Sequence, residues 1–303
     1  MPSGILLLDK PRGLSSNAAL QRVKRAYGAA KAGHVGSLDP LASGMLPICL
    51  DEATKVAGEI LAGRKCYEFT VALGARTATG DTEGEVVERS AVPALDRARV
   101  EAVAGRFQGV RSQVPPMFSA LKRAGRPLYE LARSGIEVER AAREITIHEL
   151  RLAELQAGAI DFAVVCSKGT YVRTLAEDLA RELGTVGHVS RLRRSWVEPF
   201  AAEPMQPLDA LLAAARSGAL PALLPLDRGI PDWPALRLSA ACVRRVRQGQ
   251  AIGYADYAAG PGVAGPAPGS GCAVRLLDDA GAPVGLGEID AFGGIRPRRI
   301  FNL

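Results

Sequence analysis

The chain is organised around residues 33–47, GHVGSLDPLASGMLP, which place three glycines, two prolines and one of the three histidines within fifteen positions. Glycine permits backbone angles that other residues avoid, and Pro40 lacks a backbone donor and pushes Asp39 into an extended conformation. This composition predicts no helix or regular strand. We therefore expect Asp39 on a fixed, irregular loop.

Core elements are predicted on both sides of this loop. Residues 4–9 and 44–50 are apolar runs typical of buried strands, and residues 52–61 have apolar side chains at helical spacing. A carboxylate on a rigid loop between core elements indicates chemistry. The alternative is that Asp39 only caps a turn, since Asp-Pro is a common turn opener.

Residues 33–55 closely resemble the catalytic motif of the TruB family of bacterial tRNA pseudouridine-55 synthases, G-H-x-G-(T/A/S)-L-D-P-x-A-x-G-x-L-P followed by G-x-A-T-K. The resemblance implies that Asp39 is the catalytic aspartate. Ser37 stands where the family also uses threonine or alanine. Asp51 replaces the usual glycine, which we expect to alter a turn and not the chemistry.

Further motifs of the same family occur in the expected order. K-P-x-G-x-(S/T)-S matches residues from Lys10 onward, and the resemblance implies that this lysine supports the active-site loop and binds substrate. The second motif includes Tyr67, which the resemblance stacks on the target base. S-K-G-T-Y-(I/V)-R ends in Tyr171 and Arg173, implying a tyrosine that lines the base pocket and an arginine that pairs with Asp39.

Several of these residues also have a structural interpretation. Tyr67 belongs to the alternating apolar face of a predicted strand, residues 65–73, and would pack in the core. Arg173 is equally typical of a structural ion pair. Leu192, which the resemblance places against the base, is also typical of core packing. Asp81 is predicted to be a turn residue in a hairpin connection.

The implied reaction is the isomerisation of uridine to pseudouridine, which oxidises nothing and releases no atoms. It requires a nucleophile or base, a closed pocket and an oriented base, so no cofactor is expected. Asp39, Tyr67 and Arg173 are assigned catalytic roles. Burial would raise the pKa of Asp39, and we expect the adjacent Arg173 to keep the carboxylate anionic.

A uridine within a folded RNA loop must be flipped out of its stack to reach a pocket. His34 is our candidate to occupy the vacated position, and Tyr67, Tyr171 and Leu192 are the candidates that bind the base. The sequence leaves open whether Asp39 acts at ribose C1′, on a sugar proton or at C6 of the base.

Composition agrees with a polyanionic partner and with a reducing compartment. Lys and Arg number 38 against 32 Asp and Glu, a formal net charge of +6. The five cysteines include no C-x-x-C pair, and the three histidines are too scattered for a zinc site. No leader or membrane-length apolar run is seen. We expect a soluble, cytoplasmic monomer without metal that binds the T-arm of tRNA.

The remaining patterns predict the domain organisation. The resemblance implies an α+β pseudouridine-synthase fold, with a large, mixed, mainly antiparallel sheet flanked by helices and a small β-rich PUA-like C-terminal domain. A proline-rich connector places the boundary near Gly229, giving domains 1–228 and 229–303. An RNA-contacting insert is implied at about 105–145, with a strand over 113–122. Residues 260–271, rich in glycine and proline, predict a mobile loop.

Two other classes of function are compatible with parts of the sequence. An aspartate-based hydrolase usually needs a second catalytic carboxylate, and Pro40-Leu41 after Asp39 supplies none. A non-enzymatic RNA-binding protein or tRNA-folding chaperone is equally compatible with the basic charge. A chaperone role could also coexist with catalysis in one protein.

Overall fold

Two β-sheets organise the chain in a computed structural model that describes residues 2–123, 125–257 and 271–303. The strands there are β1 (Gly4–Lys10), β2 (Ala32–His34), β3 (Ser43–Leu50), β4 (Lys65–Leu73), β5 (Ala75–Thr77), β6 (Val86–Arg89), β7 (Gly109–Gln113), β8 (Lys122–Arg123), β9 (Arg126–Pro127), β10 (Arg143–Gln156), β11 (Ala159–Cys166), β12 (Gly187–Val197), β13 (Gln206–Pro207), β14 (Ala235–Arg237), β15 (Ala273–Leu277), β16 (Pro283–Ile289) and β17 (Ile295–Ile300). The α-helices are α1 (Ser16–Tyr27), α2 (Ala57–Ala62), α3 (Arg97–Arg106), α4 (Leu128–Arg133), α5 (Val172–Glu182), α6 (Leu208–Ser217), α7 (Ala240–Arg247) and α8 (Tyr254–Tyr257).

The larger sheet contains nine strands in the described part of the chain. Its order is β13-β1-β3-β12-β4-β11-β10-β7, with β2 paired to β3. Pairing is antiparallel except between β1 and β13 and between β12 and β3. A four-stranded sheet, β14-β15-β16-β17, forms in the C-terminal part. The predicted α+β class with a large, mainly antiparallel sheet and a β-rich C-terminal domain is confirmed.

Apolar faces of the helices cover the large sheet. In α5, Leu175 and Leu179 lie on the predicted stripe and are buried in one core cluster with Phe69 of β4 and Phe162 of β11. The two phenyl rings stack with centroids 5.6 Å apart. Because β4 lies near the middle of the sheet, its alternating side chains divide between this core and the opposite face.

Three predicted elements differ from the structure. The helix expected over 52–61 is a 3₁₀ helix, Asp51–Lys55, followed by the separate helix α2. The strand expected over 113–122 is wrong: β7 ends at Gln113, because Pro115 and Pro116 cannot donate to a sheet ladder. Strand pairing also enters the 33–47 stretch from both ends through β2 and β3, which leaves 35–42 as the irregular loop.

Asp51, at the position where the family pattern has glycine, adopts a backbone angle that glycine favours. Its φ of +46° lies in the left-handed region, which aspartate tolerates better than most residues. Its carboxylate accepts a hydrogen bond of 2.7 Å from the backbone N–H of Lys31. This hydrogen bond helps to hold the left-handed backbone angle, and whether the turn differs from that of a glycine stays a prediction.

Gly44 permits a close approach between β3 and β12. Its φ is +102°, and a Cβ atom there would lie 2.2 Å from the carbonyl oxygen of Arg194. Arg194 pairs with Gly44 in the parallel register of these strands. Any side chain at this position would push β12 away from the strand that follows the Asp39 loop.

The small sheet shares a core with the large one. Leu286 and Phe301 are buried in one cluster with Ile5 and Val56. The C-terminal segment also binds the 3₁₀ helix, where Lys55 Nζ donates to the carbonyl of Ile300 at 2.6 Å. The boundary near Gly229 stays a prediction, and the loop predicted at 260–271 lies outside the described residues except for Gly271.

We expect Gly44→Ala to destabilise the protein by about 2–5 kcal/mol, the sum of a left-handed backbone penalty and overpacking. Gly218→Ala is the matched control, since its φ is +74° with no atom within 4 Å of the added Cβ; it should cost about 1–2 kcal/mol. Urea unfolding measures both. Equal losses would contradict the steric role of Gly44.

Phe301→Ala should cost about 3–5 kcal/mol, because it empties a site in the core shared by the two sheets. Leu303→Ala, two residues further on at 64% exposure, is the control and should leave stability unchanged. Thermal unfolding compares the two variants. A small, equal effect would show that the C-terminal segment does not support the large sheet.

Candidate active site

A cleft in two adjoining parts opens at the irregular loop, and Asp39 lines both parts. The inner part has a volume of about 230 Å³, and the outer part about 620 Å³. The inner part contains the predicted site residues Asp39, Tyr67, Tyr171, Arg173 and Leu192. His34 lines the outer part. The structure thus assembles every predicted site residue except Lys10.

Asp39 and Arg173 form an ion pair at the junction of the two parts. Arg173 Nε lies 3.0 Å from Asp39 Oδ2, and Arg173 is 5% exposed. Its other two nitrogens donate to the carbonyls of Thr79 at 2.7 Å and Phe118 at 2.6 Å. All three guanidinium nitrogens are therefore engaged, which fixes the orientation of the cation against the carboxylate.

Asp81 is a second carboxylate at the same guanidinium, a contact that no sequence pattern indicates. Its Oδ2 lies 3.8 Å from Arg173 Nη1, and its side chain is 3% exposed. Its Oδ1 accepts from the hydroxyl of Thr79 and the N–H of Glu83. Asp81 is thus the turn residue that was predicted, and it also faces the site. A turn aspartate that pairs with a buried arginine has the same sequence pattern as a turn aspartate that has no such pairing.

The pKa of Asp39 is raised above its ordinary value. Desolvation is the largest cause, Arg173 and Lys10 act in the opposite direction, and Asp81 adds to the rise. Protein surrounds the carboxylate closely, although 40% of its side chain remains open to the cleft. Arg173 thus lowers the pKa of Asp39 as expected, while desolvation outweighs it in the net direction. That the carboxylate stays anionic remains a prediction.

The loop that bears Asp39 is hydrogen-bonded on both sides of it. Ser16 Oγ donates to the carbonyl of Leu38 at 2.9 Å and accepts from its N–H at 2.7 Å. The N–H of Gly13 donates to the carbonyl of Pro40 at 2.7 Å. These contacts hold the backbone directly before and after Asp39. Ser16 and Gly13 belong to the same motif as Lys10. The family resemblance assigns support of the loop to the lysine of that motif, and these two residues also provide it.

Arg194 fixes the start of the same loop from the opposite side. Its side chain is almost fully buried, and its guanidinium donates to the carbonyls of Val35, Gly36 and Met45. It also lines the inner cleft. Sequence reasoning missed this role, because hydrogen bonds to backbone carbonyls leave no spacing pattern.

The inner cleft has an aromatic wall and an aliphatic wall. Burial raises the pKa of Tyr67, while the nearby Arg194 lowers it. Leu192 is 6% exposed and lies beside β4 in the sheet. Tyr171 is positioned through its backbone, whose N–H and carbonyl bind the side-chain amide of Gln113 at 2.8 and 3.1 Å. The flat, apolar surfaces suit a planar ring.

His34 lies at the cleft, whereas Lys10 lies away from it. His34 lines the outer cleft, its Nδ1 has no described hydrogen-bond partner, and burial lowers the pKa of the ring. Lys10 is fully buried and lines neither part of the cleft. Its Nζ donates to the carbonyls of Pro11 and Leu14, and burial lowers its pKa to about 8. This geometry agrees with support of the loop and not with substrate contact.

The described residues show neither a metal-binding cluster nor a membrane-spanning helix. Within them, no group of three or more His, Cys, Asp or Glu side chains is arranged to hold a metal ion. None of the helices in those ranges combines the length and hydropathy needed to cross a bilayer. No disulfide bond joins any of the cysteines in those ranges.

The fold is shared with chains of solved complexes that contain Cbf5. The chain matches the crystal structure of a Cbf5-Nop10-Gar1 complex with a TM-score of 0.73 and 23% identity, over 99% of this chain and 85% of that chain. It matches an H/ACA RNP bound to a substrate RNA containing 2′-deoxyuridine with a TM-score of 0.73 and 21% identity, over 100% and 86% of the two chains. At 21–23% sequence identity, this similarity shows the fold alone.

Sequence comparison identifies the family. Residues 24–172 match the TruB family pseudouridylate synthase N-terminal domain, 173–230 the tRNA pseudouridylate synthase B C-terminal domain, and 234–301 the pseudouridine synthase II TruB C-terminal domain. The tRNA pseudouridine synthase B of Nitrosococcus oceani is 49% identical over 98% of this chain and 94% of that protein. That of Chromohalobacter salexigens is 46% identical over 99% and 94%. The chain belongs to the TruB family of pseudouridylate synthases.

Asp81→Asn should move the acidic limb of the rate profile to lower pH. Asp81 raises the pKa of Asp39, so its neutralisation lowers that pKa and keeps Asp39 ionised further into acid. The amide retains an acceptor for Thr79 and Glu83. Single-turnover rates across pH measure the shift, with Asp178→Asn on α5 as the control. An acidic limb at the wild-type pH would show that Asp81 does not affect the pKa of Asp39.

Proposed function

We propose that this chain converts uridine 55 in the T loop of tRNA to pseudouridine, with Asp39 as the catalytic nucleophile on a flipped-out uridine. The observation that carries the proposal is the Asp39–Arg173 ion pair at the meeting point of the inner and outer cleft. Membership of a pseudouridylate synthase family supports the reaction, and the relatives named tRNA pseudouridine synthase B support the class of RNA.

The inner cleft suits one uracil ring. Tyr67 and Tyr171 offer aromatic surface and Leu192 aliphatic surface, and Asp39 stands at the mouth. Stacking on an aromatic side chain contributes about 1–3 kcal/mol per base, which offsets part of the few kcal/mol that base flipping costs. Arg173 orients the carboxylate in this arrangement, since its three nitrogens are held by two backbone carbonyls and Asp39.

The outer cleft suits the RNA around the flipped nucleotide. His34 lies there beside the loop of Asp39, in position to fill the space that the base leaves. Tyr129 and Arg133 of α4 form the opposite side, and the Arg133 guanidinium lies 5.7 Å from the centre of the Tyr129 ring. The predicted insert at about 105–145 thus contributes directly to the proposed RNA surface.

We favour action of Asp39 at the sugar. In this course its carboxylate forms a bond to C1′ as the bond from C1′ to N1 breaks, and the electron pair stays on the uracil ring. After the ring turns, C5 bonds to C1′ and the carboxylate leaves. A proton departs from C5 and one is taken up at N1, so atoms and charge balance without a cofactor.

The wider assignment is part of the same proposal. We propose the T-arm as the RNA partner, a PUA-like RNA-binding role for the domain from about residue 229, a monomer, and a cytoplasmic location. The lack of a disulfide bond among the described cysteines agrees with that location. The second candidate, an RNA-binding or tRNA-folding protein without catalysis, is favoured by the net charge of +6 alone. It gives no account of a buried cation held against a partly desolvated carboxylate.

Asp39→Asn should reduce pseudouridine formation at least about a thousandfold, because the nucleophile is lost. Binding of tRNA should stay within about threefold, since removal of a negative charge does not weaken contact with phosphates. Unmodified tRNA incubated in EDTA, followed by mapping of pseudouridine, measures activity, and fluorescence anisotropy measures binding. Asp209→Asn on α6 is the surface control.

Pseudouridine at position 55 in wild type, and none in Asp39→Asn, is the expected result. Modification at other positions only would reject the T-loop assignment. Full activity in Asp39→Asn would reject the nucleophile. Tight binding by wild type without any modification would favour the non-catalytic candidate.

A further inference from the structure

A basic groove lies between α1 and α6, apart from the cleft. Three arginines and three small or aliphatic residues line it, with a volume of about 490 Å³: Arg22, Arg25, Ala26, Leu212, Ala215 and Arg216. We propose that this groove binds the phosphate backbone of the substrate RNA outside the nucleotides that enter the cleft. The inference rests on the proposed function and adds a second contact region to it.

The three arginines lack anionic partners within the described chain. Arg22, Arg25 and Arg216 are exposed, and none of them forms an ion pair with a described carboxylate. By contrast, three exposed arginines on α3 and α5 are ion-paired: Arg97 with Glu101, Arg106 with Glu182 and Arg181 with Asp178. Three unneutralised guanidinium groups around one groove repel each other, and an external polyanion would relieve that repulsion.

Helix dipoles explain only part of this arrangement. Arg25 and Arg216 lie in the last turns of α1 and α6, where a cation is favourable. Arg22 lies five residues before the end of α1, beyond the reach of that effect. Its side chain nevertheless joins the other two at the groove.

The position of α1 favours RNA over other polyanions. Ser15, Ser16 and Asn17 at the start of this helix line the outer cleft that contains Asp39. Arg22 follows Ser16 by six residues, about 9 Å along the helix axis at 1.5 Å per residue. A strand that places one nucleotide in the cleft must continue past its walls, and α1 leads from the cleft to the groove. Guanidinium groups bind phosphate oxygens in bidentate fashion.

The test compares two triple variants with the same change in net charge. Arg22→Gln, Arg25→Gln and Arg216→Gln together lower the net charge from +6 to +3. Arg97→Gln, Arg106→Gln and Arg181→Gln together do the same with arginines that are ion-paired on α3 and α5. Equilibrium binding of unmodified tRNA is measured for wild type and both variants over a range of salt concentrations.

We expect the groove variant to bind tRNA more weakly and to lose about 2–3 units of the slope of log affinity against log salt, since each phosphate contact contributes about 0.7–0.9. The paired variant should keep the wild-type slope. Single-turnover rates at saturating tRNA should match wild type for the groove variant, because the cleft is untouched.

An unchanged slope in the groove variant would overturn the inference. Equal losses in both variants would also overturn it, by showing an effect of net charge alone. Binding is read without turnover, so this result is separable from that of Asp39→Asn: a failure of the proposed reaction appears in pseudouridine mapping and not in the salt slope.

Discussion

The guanidinium of Arg173 links segments that are far apart in the chain. It contacts Asp39 on the irregular loop, Asp81 and the carbonyl of Thr79 in the hairpin connection, and the carbonyl of Phe118 in the insert. A buried cation left without these partners would carry a large desolvation cost, so each contact restrains the segment that supplies it. The shape of the cleft, with parts on either side of Asp39, follows from this shared attachment.

The loop itself is positioned by backbone contacts that do not depend on the ion pair. Ser16 and Gly13 bind the residues that flank Asp39, and Arg194 binds the carbonyls at the start of the loop. Gly44 permits β12 to approach closely enough for Arg194 to reach them. Preorganisation of this kind matters because a misplaced carboxylate loses much of the advantage of proximity. Glycine at position 44 is therefore a requirement of the site as well as of the sheet.

Sequence patterns predicted what is local or what resembles a family motif. Strand β4 was predicted with its observed bounds because its apolar residues alternate, and Asp39, Tyr67, Tyr171 and Arg173 came from motif resemblance. The prediction of a strand over 113–122 was wrong because it gave more weight to the apolar and aromatic residues there than to the two prolines. Gln113 binds the backbone N–H and carbonyl of Tyr171. No spacing pattern predicts such a role, because backbone groups form the same hydrogen bonds whatever side chain the residue bears.

The position of Asp81 has a consequence for the reactivity of Asp39. A second carboxylate at the same guanidinium weakens the hold of Arg173 on Asp39 and adds to the rise in its pKa. A more basic carboxylate is a stronger nucleophile and a poorer leaving group, whereas a strongly paired one is fully ionised but less reactive. In the proposed reaction Asp39 bonds to carbon and then leaves again, so both properties matter. Sharing one cation between two carboxylates raises the pKa of Asp39 while keeping the cation that orients its carboxylate.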